Sequence, residues 1–292
     1  MEPLHHVLHT GFSLDLGRQP PGRIHVLRVQ GRGVEIEVPA GWTSVCWSMR
    51  GALMLASGGH DWTLPPGRMQ VWRDAPLHVR SLSANGWLAL CAPLHAWDAV
   101  APRATQLFPW RGRQLLSTAS LLAHLARGPD ASRRRAIATP STLLSALVDN
   151  LLERQEPLHG LLPRCNGRTL ARRRQTLLRM LRVRHAIDCS LDVRLDLDSL
   201  AATANYSPCH LIRVFRAIFD ETPFEYATRL RAERAWRLVR DTRMPVCEIT
   251  EAVGFESQSA FCRAFKNIYG MTTSEARHRL NDDSRAAAPR AA

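Results

Sequence analysis

At 292 residues the chain is long enough for two ordinary domains, and its 45% hydrophobic content supports a buried core and excludes disorder throughout. A formal charge of +13 favours anionic partners, nucleic acid first and acidic membrane surface second, and says nothing about fold. The net charge is +5 through Pro157 and +8 from Leu158 onward, so the C-terminal part is the more basic. Lys266 is the only lysine. The arginine excess is either a coding bias or a preference for guanidinium forks on phosphates and guanine edges, and both can hold. Cys46, Cys91, Cys165, Cys189, Cys209, Cys247 and Cys262 are odd in number, scattered and without a CxxC, which fits a reducing cytoplasm rather than a disulfide framework or zinc knuckle. No signal peptide is read at Met1-Glu2-Pro3, and no apolar run approaches the ~20 residues of a membrane span.

Residues 1–100 read as short strands and turns. Ile24–Val29 and Val34–Val38 have strand length and patterning, with Gly31-Arg32-Gly33 as the turn between them. Further apolar segments follow at Thr43–Met49, Ala52–Ala56, Arg68–Trp72, Leu77–Leu82 and Trp87–Cys91, which together predict a sandwich or small barrel. From Ala101 the period becomes helical. Gln114–Arg127 is one helix and Ser141–Gln155 a stronger one, with Leu143, Leu144, Leu147, Val148, Leu151 and Leu152 in a single stripe. Such a stripe either packs on its own domain or forms a dimer seam. Pro157–Thr169 holds two Pro and two Gly and reads as a linker; 170–280 is helical and 281–292 a polar, disordered tail. The fold class is α+β: a β-barrel or sandwich, a helical segment over 101–156, then an all-α domain.

The most informative feature is a repeat at an offset of 50. Ser207, Arg213, Phe215, Arg216, Ile218, Phe219 and Thr222 recur as Ser257, Arg263, Phe265, Lys266, Ile268, Tyr269 and Thr272. Each copy reads as a capped helix: Ser207 and Ser257 suit the N-cap, and Pro208 suits the first helical position. Leu211, Phe215 and Ile218 share a burying face, as do Phe261, Phe265 and Ile268. Short amphipathic helices precede both, at Leu197–Ala204 after Asp196 and at Val246–Val253 after Pro245, with Gly254 as a left-handed stop. Helix, tight turn and a second helix with an exposed cationic face make a helix-turn-helix, here used twice. Phe224–Arg240 is a connecting helix of roughly 24 Å, near the ~34 Å separation of successive major grooves.

The stretch from Leu197 to Leu280 carries Leu200-Ala201, Ser207-Pro208, Leu211-x-Arg213-x-Phe215, Arg231-x-x-x-Ala235, Ile249-x-x-x-Val253-Gly254-Phe255, Ser257-Gln258-Ser259-x-Phe261 and Phe265-Lys266. These motifs resemble the DNA-binding domain of AraC/XylS transcription regulators. The resemblance implies that 170–280 is a double helix-turn-helix domain whose reading helices enter successive major grooves. The implied DNA-binding positions are Cys209, His210, Ile212, Arg213 and Arg216 in the first copy, and Gln258, Ser259, Cys262, Arg263 and Lys266 in the second. Ile212 and Cys209 cannot make bidentate contacts, which leaves thymine methyls or little readout there. Asp220 stands where the family usually has Gly, Thr250 replaces a usual Ala, and Thr273 and Ala276 replace a usual Pro and Tyr. More loosely, 1–100 resembles the cupin-like sensor domain of these regulators, through Gly51–Leu55 and Leu64–Trp72. The resemblance further implies promoter DNA and RNA polymerase as partners and more often activation than repression. The N-terminal domain is then expected to sense a small molecule of unknown identity or to mediate pairing as a homodimer, with Ser141–Gln155, through its leucine stripe, as the candidate dimer helix.

Other readings compete. Arg172, Arg173 and Arg174 are candidates for phosphate contact. Pro208-Cys209-His210 echoes the active-site tripeptide of DNA alkyl-transfer repair proteins, but Leu211 follows where those enzymes have arginine. His5, His6, His9, His60 and His78 lack the HxH spacing of a metal-binding cupin, so no metal, cofactor or catalytic residue is expected. Trp47, Trp62, Trp72 and Trp87 line an effector pocket or fill a core. The alternative functions are a metal-dependent cupin enzyme fused to a DNA-targeting module, and an architectural DNA binder without sequence preference.

Overall fold

Apolar residues on alternate positions fold as strands when only one face of each is buried, and the N-terminal third does this repeatedly. The computed structural model describes residues 2–20, 22–84, 86–113, 116–127, 139–192 and 195–286. The chain divides into two units, Met1–Pro163 and Arg164–Ala292.

In the first unit the strands are β1 (Leu4–His9), β2 (Ser13–Asp15), β3 (His25–Gln30), β4 (Glu35–Val38), β5 (Trp42–Ser48), β6 (Leu53–Ser57), β7 (His60–Leu64), β8 (Arg68–Arg73), β9 (Leu77–Ser81), β10 (Trp87–Pro93) and β11 (Trp110–Arg113). They form one sheet in the order β1-β3-β10-β5-β8-β11 and another in the order β2-β4-β9-β6-β7. Stripped of β1, β2 and β11, the orders β3-β10-β5-β8 and β4-β9-β6-β7 are those of a jelly roll, the cupin architecture. The fold is thus the expected α+β arrangement of a cupin-like sandwich followed by helices. The β6–β7 hairpin closes on Gly58-Gly59, both at positive φ, between the paired Ser57 and His60.

One face of the first sheet meets helices. Val45, Trp47, Met69, Val71, Leu88 and Leu90 share a core with residues of α1 (Leu94–Val100), α2 (Leu116–Ala126) and α3 (Pro140–Arg154). Residues 114 and 115 of the expected helix at Gln114–Arg127 lie outside the described residues. Leu144, Leu147, Val148, Leu151 and Leu152 are buried in this core and Leu143 packs at its edge, so the leucine stripe is used within the unit. Gln155, fully buried, clamps the chain by accepting from the Phe108 N–H (2.8 Å) and donating to its carbonyl (3.1 Å). The sheet itself extends beyond residue 100, because β11 pairs with β8. The Pro/Gly-rich stretch at 157–169 contains most of a short helix α4 (Glu156–His159) and a 3-10 turn at Leu162–Arg164, with Leu158 and Cys165 buried.

The tryptophans fill space: Trp47, Trp62, Trp72 and Trp87 are all buried, Trp62 against Trp72 at 5.0 Å, and Trp87 donates to Ser81 Oγ at 3.1 Å. His25, also buried, stacks between His6 (5.2 Å) and Trp42 (5.5 Å), with its Nδ1 2.9 Å from His6 Nε2. Burial, helped by the neighbouring His6 and Arg23, pushes its pKa down to about 4. The unfolded chain therefore takes up a proton near the ordinary histidine value while the folded one does not. Stability of this unit is full above about pH 6.5 and falls as pH drops toward about 4. Seven of the eight tryptophans lie in this unit, so thermal unfolding followed by their fluorescence reads it. His25→Gln is expected to flatten the pH dependence across that window; an unchanged profile would refute the assignment.

The second unit is helical: α5 (Leu170–Cys189), α6 (Leu197–Ala204), α7 (Pro208–Phe219), α8 (Pro223–Asp241), α9 (Val246–Ala252), α10 (Gln258–Tyr269) and α11 (Thr273–Ala286). Helix α11 runs past the expected end at Leu280, which corrects the disordered tail over 281–286; residues 287–292 lie outside the described residues. The caps follow local chemistry. Asp196 accepts from the Asp198 N–H, and Thr169 from that of Arg172. Thr222–Glu225 and Thr272–Glu275 make identical reciprocal capping boxes, with N–H to carboxylate at 2.7 Å and N–H to hydroxyl at 3.2 Å in each. These bonds hold both glutamates below the usual carboxylate range.

Candidate nucleic-acid interface

Helix α8 divides the second unit into halves. In the first, α5 packs on α6, α7 and α8; in the second, α9, α10 and α11 pack on α8. Leu200, Ala201, Ala204, Leu211, Val214, Phe215 and Ile218 are buried in the first half. Phe215 meets Tyr226 at 5.8 Å, and the Tyr226 hydroxyl donates to Asp188 at 2.7 Å. The second half is an aromatic core: Phe261 and Phe265 are fully buried, and Trp236 and Tyr269 pack beside Phe265.

The two turns differ in one respect that an offset of 50 conceals. Leu200, Ala201 and Ala204 occupy the places of Ile249, Thr250 and Val253, all buried, at an offset of 49. Asn205 (φ 53°) and Gly254 (φ 78°) both end their helices in the left-handed region. Glu256 is then the extra residue that restores an offset of 50 at Ser207 and Ser257. After α7 and α10, Asp220 (φ 64°) and Gly270 (φ 69°) stand at equivalent left-handed C-caps. The Asp for Gly departure thus keeps the conformation at some steric cost. Thr250 is buried and spends its hydroxyl on the Val246 carbonyl at 2.8 Å, so that departure is also accommodated. Thr273 and Ala276 are buried where Pro223 and Tyr226 are buried in the first copy.

Two details depart from expectation. Ser207 occupies the α7 N-cap without a side-chain cap bond, whereas Ser257 accepts from the Ala260 N–H at 3.2 Å. Ile268 does not bury as Ile218 does: it is 41% exposed, whereas Ile218 is fully buried.

Cys209, Arg213 and Arg216 are exposed on α7, with Ile212 half-buried among them. Gln258, Ser259, Cys262, Arg263 and Lys266 are exposed on α10. Spacings of three, four and seven place each set on one helical face, opposite the buried phenylalanines. His210 is half-buried, edge-on to Tyr206 at 4.6 Å, and Arg179 lies over that ring at 5.4 Å. Among the described residues Arg213 and Arg263 make no salt bridge. Arg216 and Lys266 differ, since each acts electrostatically on the capping-box glutamate that follows it, Glu225 and Glu275 respectively. Arg172 is exposed, while Arg173 is committed to the Gly167 carbonyl at 3.0 Å. Arg263 also borders a cleft of about 870 Å³ along α8, lined by Leu197, Phe224, Arg231 and Phe255.

Sequence reasoning missed Arg231 as more than a motif residue. It is 7% exposed and donates from Nε to the Leu191 carbonyl at 2.8 Å. Among the described residues no group of three or more His, Cys, Asp or Glu side chains could hold a metal ion, and no helix is long and apolar enough to cross a membrane. His5, His6 and His9 lie on β1, His60 on β7 and His78 on β9.

A family model described as a helix-turn-helix domain matches residues 200–279. The chain is 35% identical over 94 residues to the regulatory protein SoxS of Salmonella typhimurium, covering 32% of this chain and 88% of SoxS. It is 35% identical over 83 residues to the RCS-specific HTH-type transcriptional activator RclR of Escherichia coli, covering 28% of this chain and 29% of RclR. Among solved structures, the C-terminal domain of AraT, a response regulator from Geobacillus stearothermophilus, is 30% identical and covers 35% of this chain and 84% of that one, with a TM-score of 0.33. Two turn-and-helix units with outward cations on a shared connecting helix, matched along almost all of SoxS, decide the family: the chain belongs to the AraC/XylS DNA-binding transcription regulators.

Proposed function

We propose that this regulator reads a promoter sequence through α7 and α10 in two successive major grooves, and that Cys209, His210, Ile212, Arg213 and Arg216 of α7 and Gln258, Ser259, Cys262, Arg263 and Lys266 of α10 form the contact surface. The observation that carries this is the pair of outward faces at matching positions of a repeat, each bearing an arginine without a carboxylate partner among the described residues. Helix α8 has 19 residues, a rod of about 28 Å, which suits neighbouring grooves. Arg213 and Arg263 read guanine edges and Gln258 an adenine, while Ile212 and Cys209 meet thymine methyls. Arg216 and Lys266, each beside a glutamate, serve phosphates.

The reading extends to activation beside RNA polymerase, in line with RclR being an activator. The jelly roll is the sensing and pairing module. An open cleft of about 490 Å³ on it, lined by Asp15, Glu37, Pro39, Leu77 and His78, is a place for a small effector. Pairing of two copies uses a surface other than the leucine stripe of α3, which is buried.

Selection from a random duplex pool, then footprinting of the winners, tests the central reading. The expected result is protection over about two turns with two half-sites one turn apart. Steep salt dependence with no preferred sequence would overturn it in favour of an architectural binder.

A further inference from the structure

We infer that Arg231 and Glu256 are positioning residues that staple the two helix-turn-helix halves together, so that the protein measures the spacing between its half-sites. This rests on the two-groove reading above. Covalently the halves are joined through α8. A second, non-covalent joint is made by the α5–α6 connection, where three elements meet. Arg231, from the middle of α8, donates to the Leu191 carbonyl at 2.8 Å. The turn of the second half presses against the same backbone: a Cβ on Gly254 would collide with the Leu191 carbonyl oxygen and sit 2.9 Å from Asp192 Cα. Glycine at this point therefore meets two demands, a positive φ and a backbone-to-backbone approach.

The charges fit the same joint. Arg231 is buried in a unit otherwise rich in exposed arginines, and a buried guanidinium is costly unless it is paired. The carboxylates that act on it are Glu256, from the second turn, and Asp192, from the first half. Glu256 is the one residue of the second turn without a counterpart in the first. The inserted residue thus supplies a charge at the junction, two positions before α10 begins at Gln258. A shift at Gly254 or Glu256 moves α10 relative to α7.

One added base pair displaces a half-site by about 3.4 Å and rotates it by about 35°. A stapled pair of helices resists that change, since packed junctions do not deform continuously. The test uses the full chain, the selected duplex, and versions with one base pair added or removed between half-sites. Wild-type affinity is expected to fall about tenfold or more on either altered duplex. Arg231→Met and the exposed Glu256→Gln are each expected to shrink that penalty by about threefold, with circular dichroism confirming folding. A merely structural role lowers the active fraction and scales all three affinities alike, leaving their ratio unmoved. A wild-type ratio in folded Glu256→Gln and Arg231→Met, or a wild-type protein indifferent to spacing on a protected two-turn site, overturns the staple alone. Absence of any protected two-turn site overturns the groove reading and the staple with it.

Discussion

Phe265→Ala is expected to destabilise the helical unit by about 3–5 kcal/mol, the range for removing a fully buried aromatic ring. Phe265 is fully buried among Trp236 of α8 (5.8 Å) and Phe261 (5.7 Å) and Tyr269 (4.8 Å) of α10, so its removal leaves a cavity between the two helices. Against a total of roughly 5–15 kcal/mol for an ordinary domain, such a loss is a fifth or more. Because α10 is held on α8 through this side chain, DNA binding should fall in step with folding. Urea unfolding followed by far-UV circular dichroism measures the change. The repeat supplies a control at equivalent positions. Ile218→Ala, at a fully buried site, is expected to cost about 2–5 kcal/mol. Ile268→Ala, at a site 41% exposed, is expected to cost under about 1 kcal/mol. Equal losses at the two isoleucines would contradict the burial that distinguishes the halves.

That contrast marks how far the sequence could be read. Ser257, Pro208, Asp196 and Gly254 announce helix ends by local chemistry, and the structure uses each where expected. The repeat was legible because phenylalanine and arginine recur in register on opposite faces. Ile268 was not, since its exposure depends on what covers the last turn of α10. β1 escaped notice because His5, His6 and His9 give an edge strand little apolar pattern, and its parallel pairing with β3 is a tertiary event. The offset of 49 in the upstream helices was hidden behind identical residues at an offset of 50. Arg231 illustrates the limit most plainly. A motif marks it, but its partners Leu191 and Glu256 lie on segments far apart in the chain that only the fold brings together. The outward faces of α7 and α10 follow from helical periodicity, so their exposed side chains were readable in the sequence, while the different electrostatic surroundings of Arg263 and Lys266 were not.

Those roles separate in one experiment on the selected duplex. Arg263 is exposed, free of a salt bridge among the described residues, and one turn beyond Gln258 and Ser259 on the same face. On the proposed reading, a guanidinium there presents two parallel donors to a guanine edge, a contact worth about 1–3 kcal/mol of discrimination. Arg263→Ala is therefore expected to weaken binding to the selected duplex by about 5- to 150-fold, and to leave duplexes already mutated at that base pair unchanged. Lys266 lies in the last turn of α10, acts electrostatically on Glu275, and lacks the rigid planar fork of a guanidinium. Lys266→Ala should weaken every duplex alike and reduce the salt slope by about 1. Helix α7 offers Arg213 alone for bidentate reading, with Ile212 and Cys209 beside it, whereas α10 offers both Gln258 and Arg263. Base substitutions in the half-site under α10 should accordingly cost more than those under α7. Uniform loss across all duplexes for Arg263→Ala would reassign that side chain from base reading to phosphate contact, and the asymmetry between the half-sites would lose its cause.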